Sequence, residues 1–417
     1  MFKLKGPKYT IKGVLPLTGS KSISNRLLIL DEVLGAQLNF TNLSNSEDTQ
    51  LLVKALRNIR AKKKEPIDVH HAGTTMRFLT ALLASTPGDW ILTGSDRMKE
   101  RPIAELVTAL KQLGAEIHYL EKENFPPLAI KGKPLEGGTV SIDGSISSQF
   151  LTALLLVSPA FNNGITLQLK GQLVSRPYLD MSLSLLKQVG MQVTVSNNHI
   201  QVKGPVPKMA DTSFSIESDW SSASYFYSIC ALSKQADITL TSFDAISLQG
   251  DSVLPSLFET LGVKTEFYKH SIRLINQPLS STQFEYDFSN CPDLAQTLAV
   301  CCFGLGIEAH LSGLKTLQIK ESNRIEALKS ELEKCGAVVN AGPDFLHIKN
   351  PKTETRNLKT ETITIDTYND HRMAMCFAPL SLLYECVQFK DPDVVKKSYP
   401  AFWTDLLSLG FSVNLQP

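Results

Sequence analysis

The sequence predicts an α/β protein with two pseudo-symmetric domains, each built from three copies of one small unit. One reason is its length of 417 residues, because single hydrophobic cores stop growing beyond roughly 250–300 residues. A second reason is a pattern of helix and strand that recurs along the chain. A third is that segments rich in glycine, serine and charged residues separate the recurrences, where binding loops are expected.

The recurring pattern is an amphipathic helix that ends at a glycine and is followed by an alternating strand. The glycines are Gly114, Gly190, Gly262, Gly336 and Gly410. They are 76, 72, 74 and 74 residues apart, a spacing too even for unrelated helices that merely end in glycine. A glycine at this place predicts a left-handed helix end, after which a new element begins.

A weaker copy at residues 51–59 lacks the glycine and completes a set of six. Short strands are predicted between the helices, for example at Gly138–Asp143 and Ile363–Asp366. Units of about 70 residues are too long for a solenoid repeat. Two domains of three units each are therefore expected.

The composition favours a globular protein, with 43% hydrophobic and 20% charged residues. A formal net charge of +1 gives no general attraction to nucleic acid or to an anionic membrane. The most apolar stretch, residues 150–161, is too short to cross a bilayer. We expect a cytoplasmic monomer without nucleic-acid or membrane partners, in which local clusters of cations hold any anionic ligand.

The seven cysteines form an odd set without a C-x-x-C pair or companion histidines at zinc spacing. They are interpreted as buried, reduced thiols, and no structural metal is expected.

The first half of the chain carries three segments suited to anions. Residues 17–26 place Gly19, Ser20, Lys21, Ser22 and Arg26 at a predicted helix start, where free backbone N–H groups and cations make an anion site. Residues 71–78 offer Gly73 for close approach of a ligand to the backbone and Thr74 as a helix cap. Many Gly-Thr sequences at a helix start only cap the helix and bind no ligand. Residues 92–102 concentrate three cations, among them Arg97, in a loop before a helix begun by Pro102.

Two further segments suit a polyhydroxylated ring that bears a phosphate. Their hydroxyl and amide groups are Ser147, Ser148, Gln149, Ser175 and Tyr178. No histidine or acid is close in sequence, so Ser147 and Ser148 are interpreted as binding groups rather than nucleophiles.

The second half supplies ionisable groups. Residues 320–324 open a predicted helix that runs to Cys335, on which Glu321 and Arg324 would share one face. The plainer alternative for Glu321 is an intrahelical ion pair worth a few tenths of a kcal/mol. Residues 367–375 place an acid, a histidine and an arginine before another helix, and residues 391–400 add Lys397.

Taken together, these segments resemble the 5-enolpyruvylshikimate-3-phosphate synthase family over the whole chain. The motifs that carry the resemblance are Gly19–Ser22, Arg97–Pro102, Ser147–Phe150, Ser221–Tyr225, Lys320–Ser322 and Tyr368–Met375. The resemblance implies two domains of three βαβαββ units, with the active site in the cleft between them. It places residues 20–218 in one domain and residues 1–19 with 219–417 in the other.

The resemblance also implies a reaction and a set of site residues. Phosphoenolpyruvate would transfer its carboxyvinyl group to the 5-hydroxyl of shikimate 3-phosphate and release phosphate through a tetrahedral intermediate, without a metal or organic cofactor. The residues implied for phosphoenolpyruvate are Lys21, Gly73, Arg97, Gln149, Arg324, Arg372 and Lys397. Those implied for shikimate 3-phosphate are Lys21, Ser22, Arg26, Ser147, Ser148, Gln149, Ser175, Tyr178, Asp293 and Lys320.

Among these, the resemblance implies catalytic roles for Asp293, Glu321 and Lys21. Asp293 would remove the hydroxyl proton and Glu321 would protonate the methylene carbon, a division that two carboxyls tuned apart can perform. The sequence departs from the family at several positions, most notably at Phe78, where the family usually has proline. This residue is expected to alter the phosphoenolpyruvate pocket.

Three alternatives remain at this stage. A related transferase moves the same group to a UDP-linked amino sugar, but it is expected to carry a catalytic cysteine or aspartate in a loop near residues 95–101. That loop has no cysteine here, and its Asp96 lacks the surrounding sequence of that family. A phospholigand binder without activity should have lost its acids, and an RNA-processing protein should be basic or rich in interleaved aromatic residues.

Overall fold

The computed structural model describes residues 2–144, 148–171, 175–196, 198–203, 212–349 and 361–415. The chain divides into two compact units. The discontinuous unit comprises residues 1–19 and 217–417, and the inserted unit comprises residues 20–216. Within the described ranges, no helix is both long enough and apolar enough to span a membrane.

The strands are short. They are β1 (Phe2–Lys5), β2 (Ile11–Pro16), β3 (Asn39–Thr41), β4 (Ile67–Asp68), β5 (Gly88–Thr93), β6 (Glu116–Tyr119), β7 (Leu128–Gly132), β8 (Gly138–Asp143), β9 (Ile165–Lys170), β10 (Val193–Ser196) and β11 (His199–Val202). They continue with β12 (Ser213–Ser215), β13 (Ala236–Thr241), β14 (Val263–Tyr268), β15 (Ser271–Asn276), β16 (Gln283–Asp287), β17 (Glu308–Ser312), β18 (Val338–Ala341), β19 (Phe345–Lys349), β20 (Thr362–Ile365), β21 (Cys386–Phe389) and β22 (Ser412–Leu415).

The α-helices alternate with these strands. They are α1 (Lys21–Leu34), α2 (Glu47–Arg60), α3 (Gly73–Ser85), α4 (Asp96–Lys99), α5 (Ala104–Gln112), α6 (Ser148–Val157) and α7 (Arg176–Gln188). They continue with α8 (Trp220–Leu232), α9 (Leu254–Glu259), α10 (Ala295–Leu305), α11 (Arg324–Lys334), α12 (His371–Phe377) and α13 (Phe402–Ser408).

The sheets repeat one arrangement. In the inserted unit the strand orders are β4-β5-β7-β6, β8-β9-β11-β10 and the two-stranded β3-β12. In the discontinuous unit they are β2-β13-β15-β14, β16-β17-β19-β18 and β20-β21-β1-β22. Each four-stranded sheet starts with a parallel pair and continues with antiparallel pairs, as in β16, β17, β19 and β18. The order of elements from β4 to β7 is β, α, β, α, β, β, apart from the one-turn helix α4, so the predicted βαβαββ unit is confirmed.

The glycines of the repeat have the predicted conformation. The backbone φ angles are +89° at Gly114, +84° at Gly190, +85° at Gly262, +87° at Gly336 and +89° at Gly410. A residue with a Cβ is strained in this left-handed region. The glycines therefore end the helices where the sequence places them. The weaker copy also forms a helix, α2, which ends without a glycine.

The core of each unit is built around helices that are apolar on all sides. Helix α6 is buried at residues 150–157 and packs against α1, α3 and α7 in the inserted unit. In the discontinuous unit, α8 and α10 are buried along most of their length and pack against each other. A helix without a polar face belongs in a core. All seven cysteines are buried and outside any disulfide bond, in agreement with the interpretation as buried thiols.

Several local predictions were wrong by a few residues. Helix α11 begins at Arg324, so Glu321 lies in the preceding loop and does not share a helical face with Arg324. Thr74 is inside α3, which begins at Gly73 without a side-chain cap. Helix α5 begins two residues after Pro102, since Ile103 occupies its N-cap. These differences reflect helix starts that local propensity places only approximately.

Candidate active site

A buried arginine organises a cluster of charges in the discontinuous unit. Arg324 is the first residue of α11, whose N-cap Asn323 accepts a hydrogen bond from the backbone N–H of Glu326. Its guanidinium is 2.9 Å from a Glu321 oxygen, 3.0 Å from an Asp293 oxygen and 2.8 Å from an Asp370 oxygen. We refer to these four residues, with Lys320, Arg372 and Lys397, as the carboxylate cluster.

Asp370 fixes the orientation of Arg324. It is fully buried and caps α12, where it accepts a hydrogen bond from the backbone N–H of Arg372 at 3.0 Å. Both of its oxygens accept from Arg324, at 2.8 Å and 3.3 Å. A bidentate pair of this kind holds the guanidinium plane in one direction. The remaining N–H groups of Arg324 are thereby directed at Asp293 and Glu321.

Asp293 lies in the short 3₁₀ turn Pro292–Leu294 and is surrounded by cations. Besides Arg324, Arg372 approaches it at 3.1 Å and Lys320 at 3.7 Å. A second guanidinium N–H of Arg372 donates to the backbone carbonyl of Asp293, and the same nitrogen is 3.3 Å from the Tyr225 hydroxyl. The carboxylate of Asp293 is therefore held from three sides.

Glu321 is held between Arg324 and Lys397, whose Nζ is 2.6 Å from its second oxygen. Lys397 is 6% exposed, at the end of the 3₁₀ turn Pro392–Lys397. The two carboxyls proposed for proton transfer thus contact the same guanidinium, and each has further cations of its own.

Burial would lower the pKa of the Arg324 guanidinium, but Asp370, Glu321 and Asp293 outweigh it and raise this pKa above its usual range. Arg324 is therefore charged at neutral pH. A nearby carboxyl behaves differently: burial, reinforced by the negative charge of Asp293, raises the pKa of Asp251 to about 7. Asp251 accepts a hydrogen bond from the Ser221 hydroxyl.

The inserted unit contains a second group of predicted residues at the start of α1. Ser20 caps this helix and accepts a hydrogen bond from the backbone N–H of Ile23. The Nζ of Lys21 is 3.2 Å from a carboxylate oxygen of Asp48, which lies in the first turn of α2. The predicted cation is therefore present at the helix start, paired with an acid that the motif analysis did not identify.

Arg26 joins α1 to α7. Its Nε donates to the Ser182 hydroxyl at 2.8 Å, and its other nitrogens donate to the carbonyls of Ser22 and Tyr178 at 2.8 Å and 3.2 Å. Ser182 is also 3.1 Å from the hydroxyl of Thr152 on α6. These contacts hold the N-terminal parts of α1, α6 and α7 together, and we call Lys21, Ser22, Arg26, Ser148, Gln149, Ser175 and Tyr178 the hydroxyl cluster.

Burial lowers the pKa of Arg26 to about 10, against a weaker opposing effect of Tyr178. At neutral pH the guanidinium remains charged while 3% exposed. Its carbon lies 5.7 Å from the ring centre of Phe78 and 6.0 Å from that of Tyr178. Phe78, where the family usually has proline, therefore contacts a residue predicted to bind substrate, and a cation–π contact helps to hold the charge in place.

The segments directly before α3, which begins at Gly73, and before α4, which contains Arg97, contact each other. The Ser95 hydroxyl is 2.7 Å from Nδ1 of His71, and the Ser95 backbone N–H donates to the His70 carbonyl. A Cβ at Gly73 would be 2.6 Å from the Arg101 guanidinium, so a larger residue would require that side chain to move. Arg97 is part of the one-turn helix α4, is partly exposed and pairs with Glu100 at 2.9 Å.

The structure thus brings together the predicted residues of the discontinuous unit around Arg324, and in the inserted unit it shows Arg26 in contact with Ser22 and Tyr178. Ser175 is the N-cap of α7, with a left-handed φ of +53°, and Ser148 begins α6. Ser147 lies outside the described residues. Which of these groups contact a substrate stays a prediction.

The motifs included Asp370 as the acid before α12 but gave it no role, and they missed Asp48 and Ser182. Asp370 had a signal, because an acid directly before a helix start is a typical N-cap. Ser182 also had one, because it is a polar residue on the apolar side of α7. Asp48 had none, since acids are common in the first turn of any helix.

The repeat of βαβαββ units defines the class of protein first. The fold is similar to that of EPSP synthase from Acinetobacter baumannii, with a TM-score of 0.76, 20% identity and full coverage of both chains. It is also similar to that of the enolpyruvyl transferase NikO from Streptomyces tendae, with a TM-score of 0.74 and 15% identity, covering 99% of this chain and 98% of the other. The chain has the enolpyruvyl transferase fold.

Sequence comparison then gives the family. The family model for EPSP synthase (3-phosphoshikimate 1-carboxyvinyltransferase) matches residues 6–70 and 59–406. A 3-phosphoshikimate 1-carboxyvinyltransferase of Bacteroides fragilis is 44% identical over 410 residues, 97% of either chain. One from Colwellia psychrerythraea is 37% identical over 425 residues, 96% of this chain and 97% of its own. The chain belongs to the EPSP synthase family.

Proposed function

We propose that this chain transfers the carboxyvinyl group of phosphoenolpyruvate to the 5-hydroxyl of shikimate 3-phosphate and releases phosphate. The observation that carries the proposal is the position of Asp293 and Glu321 on one buried guanidinium, that of Arg324. Two carboxyls at fixed places among several cations provide a proton acceptor and a proton donor beside a site for anions.

In the addition step, Asp293 accepts the proton of the 5-hydroxyl while the hydroxyl oxygen forms a bond to C2 of phosphoenolpyruvate. Glu321 donates a proton to C3, and the methylene becomes a methyl group. In the elimination step the bond between C2 and the phosphate oxygen breaks, and Glu321 recovers the proton from the methyl group. The hydroxyl proton leaves with the phosphate, so the enzyme returns to its starting state.

Cations of the carboxylate cluster bind phosphoenolpyruvate in this proposal. Arg324, Arg372 and Lys397 are nearly buried, so their interaction with a phosphate or carboxylate is weakly screened by water. An anion beside Glu321 also disfavours its carboxylate form, and this favours the proton that the addition step needs. Lys21, Gly73, Arg97 and Gln149 complete the proposed set.

The hydroxyl cluster binds shikimate 3-phosphate. Its serine hydroxyls, the Gln149 amide and the Tyr178 side chain suit the ring hydroxyls and the phosphate, while Arg26 holds α1 against α7. Lys21, Asp293 and Lys320 are proposed as further contacts of this substrate. We also propose that the protein acts as a cytoplasmic monomer without metal or organic cofactor.

A coupled assay of phosphate release tests the proposal. Phosphate should be released when phosphoenolpyruvate and shikimate 3-phosphate are offered together and not when either is offered alone. Release with phosphoenolpyruvate and a UDP-linked amino sugar would assign the chain to the other transferase reaction.

The variant Glu321→Gln tests the role of the proton donor. Turnover should fall by at least about a hundredfold, the usual scale for a proton-transfer group, while binding of shikimate 3-phosphate stays nearly intact. Glu326→Gln is the matched control, because Glu326 is exposed in the first turn of α11. Unchanged turnover in Glu321→Gln would reduce this residue to an ion-pair partner.

A further inference from the structure

Three potential metal ligands lie on the solvent face of one sheet in the discontinuous unit. Glu308 and His310 are two residues apart on β17, so their side chains point to the same face. His347 on β19 is the direct cross-strand partner of His310. The residues that alternate with them along the two strands, Ala309, Leu311 and Ile348, are buried, which places the three polar side chains on the opposite, outer face.

The ligand atoms are close together. Oε1 of Glu308 is 2.7 Å from Nε2 of His347 and 3.8 Å from Nε2 of His310. The two imidazole rings are stacked, with centroids 3.6 Å apart and an interplanar angle of 21°. One ligand atom from each of the three residues can be chosen so that all lie within 4.8 Å of one another.

These distances are near those of a coordinated metal ion. Bonds of about 2.1 Å from zinc to nitrogen or oxygen place the atoms of neighbouring tetrahedral ligands roughly 3.4 Å apart. His310 has 51% of its side chain exposed and Glu308 has 37%, so rotation of these side chains can widen the shorter distance and shorten the longer one. His347 lies in β19 and is only 14% exposed, so it supplies a ligand with little freedom to move.

We propose that Glu308, His310 and His347 form a binding site for a divalent transition-metal ion, with Zn²⁺ as its ligand. Two imidazoles and one carboxylate are the donor set that such ions prefer, whereas Mg²⁺ prefers oxygen ligands alone. Water or the side chain of Glu285, the cross-strand partner of His310 on β16, supplies the fourth ligand. This site is separate from the residues proposed for carboxyvinyl transfer.

The neighbouring charges allow the site to bind a cation. Glu308 carries a negative charge and contacts both imidazoles, at 2.7 Å for His347 and 3.8 Å for His310. Glu285 adds a negative charge on one side and Lys349 a positive charge on the other.

A metal ion at this place joins β17 and β19, which the backbone already pairs in the middle of the sheet. Because a ligand that binds only the folded chain stabilises it by mass action, zinc should raise the unfolding temperature.

Calorimetric titration of the full chain with ZnCl₂ at pH 7.5 tests the proposal, with MgCl₂ as the contrasting ion. Zinc should give a binding phase of one ion per chain that MgCl₂ does not give. In His347→Gln and His310→Gln this phase should weaken by at least about tenfold, since loss of even an outer hydrogen-bond partner of a metal ligand typically costs 10–100-fold.

His199→Gln is the control, because His199 is an exposed strand histidine in the inserted unit. Circular dichroism without metal checks that each variant folds, and carboxyvinyl transfer by His310→Gln should equal that of the unsubstituted chain. Zinc bound at another place would give a calorimetric binding signal that all variants retain, and this signal would not come from the proposed site. The proposal fails if the double variant His310→Gln/His347→Gln loses no phase, or if the unsubstituted chain shows no zinc binding at millimolar concentration.

Discussion

At the residue scale, a charged side chain is buried in this protein where ion pairs and hydrogen bonds satisfy it. Arg324 has 2% of its side chain exposed and contacts three carboxylates, so the cost of its burial is offset by ion pairs and hydrogen bonds. Asp370 is the most buried of the three and does not belong to the proposed reacting groups. It acts on the reaction through the orientation of Arg324.

Asp370→Asn should destabilise the protein by about 3 kcal/mol, because breaking a buried ion pair leaves an uncompensated charge. Asp366→Asn is the matched control. Asp366 pairs with Lys334 near the surface at 2.7 Å, so its loss should cost less than about 1 kcal/mol. Urea unfolding of both variants measures the difference, and equal losses would show that burial of the Asp370 pair carries no special cost.

Asp251 should give the protein a pH-dependent stability. Its pKa is raised to about 7 by burial and by the charge of Asp293, compared with about 3.9 in an unfolded chain. Between these values the native state keeps a proton that the unfolded state has lost, so stability falls as the pH rises from about 4 to 7.

Asp251→Asn removes this titration. Relative to the unsubstituted chain, its free energy of unfolding should increase by about 3 kcal/mol between pH 5 and pH 8, since each pKa unit corresponds to roughly 1.4 kcal/mol. Asp393→Asn, at an exposed position, should show no such change. Urea unfolding at both pH values decides the matter, and an Asp251→Asn effect that is the same at pH 5 and pH 8 would contradict the assignment.

At the scale of the element, the glycine stops show how much of the fold could be predicted from sequence. Helix, stop and strand recur with local signals that need no knowledge of distant residues, so the repeat was predictable. The site was predictable only in part. Glu321 contacts Arg324 from a loop rather than from a helical face, and Asp48 reaches Lys21 from a separate helix, contacts for which no local pattern exists.

Gly114→Ala tests the stop after α5. A Cβ at this position would meet nothing within 4 Å, so the expected loss comes from backbone strain at φ +89° alone. That strain costs roughly 1–2 kcal/mol for a residue with a Cβ, partly offset by reduced entropy of the unfolded chain, and a net loss of about 1 kcal/mol should appear on urea unfolding. Gly114→Asn should lose less, because asparagine tolerates this region better. Equal losses for alanine and asparagine would argue against backbone strain.

At the scale of the whole molecule, one of the two units is built from segments that are far apart in the sequence. Strand β1 lies between β21 and β22, the last strands of the chain, and β2 pairs with β13. Residues 1–19 are thus part of two sheets whose other strands come after residue 217. Such long-range pairings leave no local trace in the sequence, and only the resemblance to a family predicted that the first strands belong with the second half.

This arrangement predicts different behaviour for the two units when the chain is cut. A fragment of residues 20–216 should fold cooperatively, because its three sheets and its helices α1 to α7 pair and pack within the fragment. Deleting residues 1–19 from the full chain should instead unfold the discontinuous unit, because the central strand β1 and the edge strand β2 are both lost. Urea unfolding followed by circular dichroism should show one cooperative transition for the fragment. The deletion variant should show a transition of the same amplitude as the fragment, because only its inserted unit is folded. A native-like signal for the whole deletion variant, or a fragment without a cooperative transition, would mean that the units do not form from the strand pairings described.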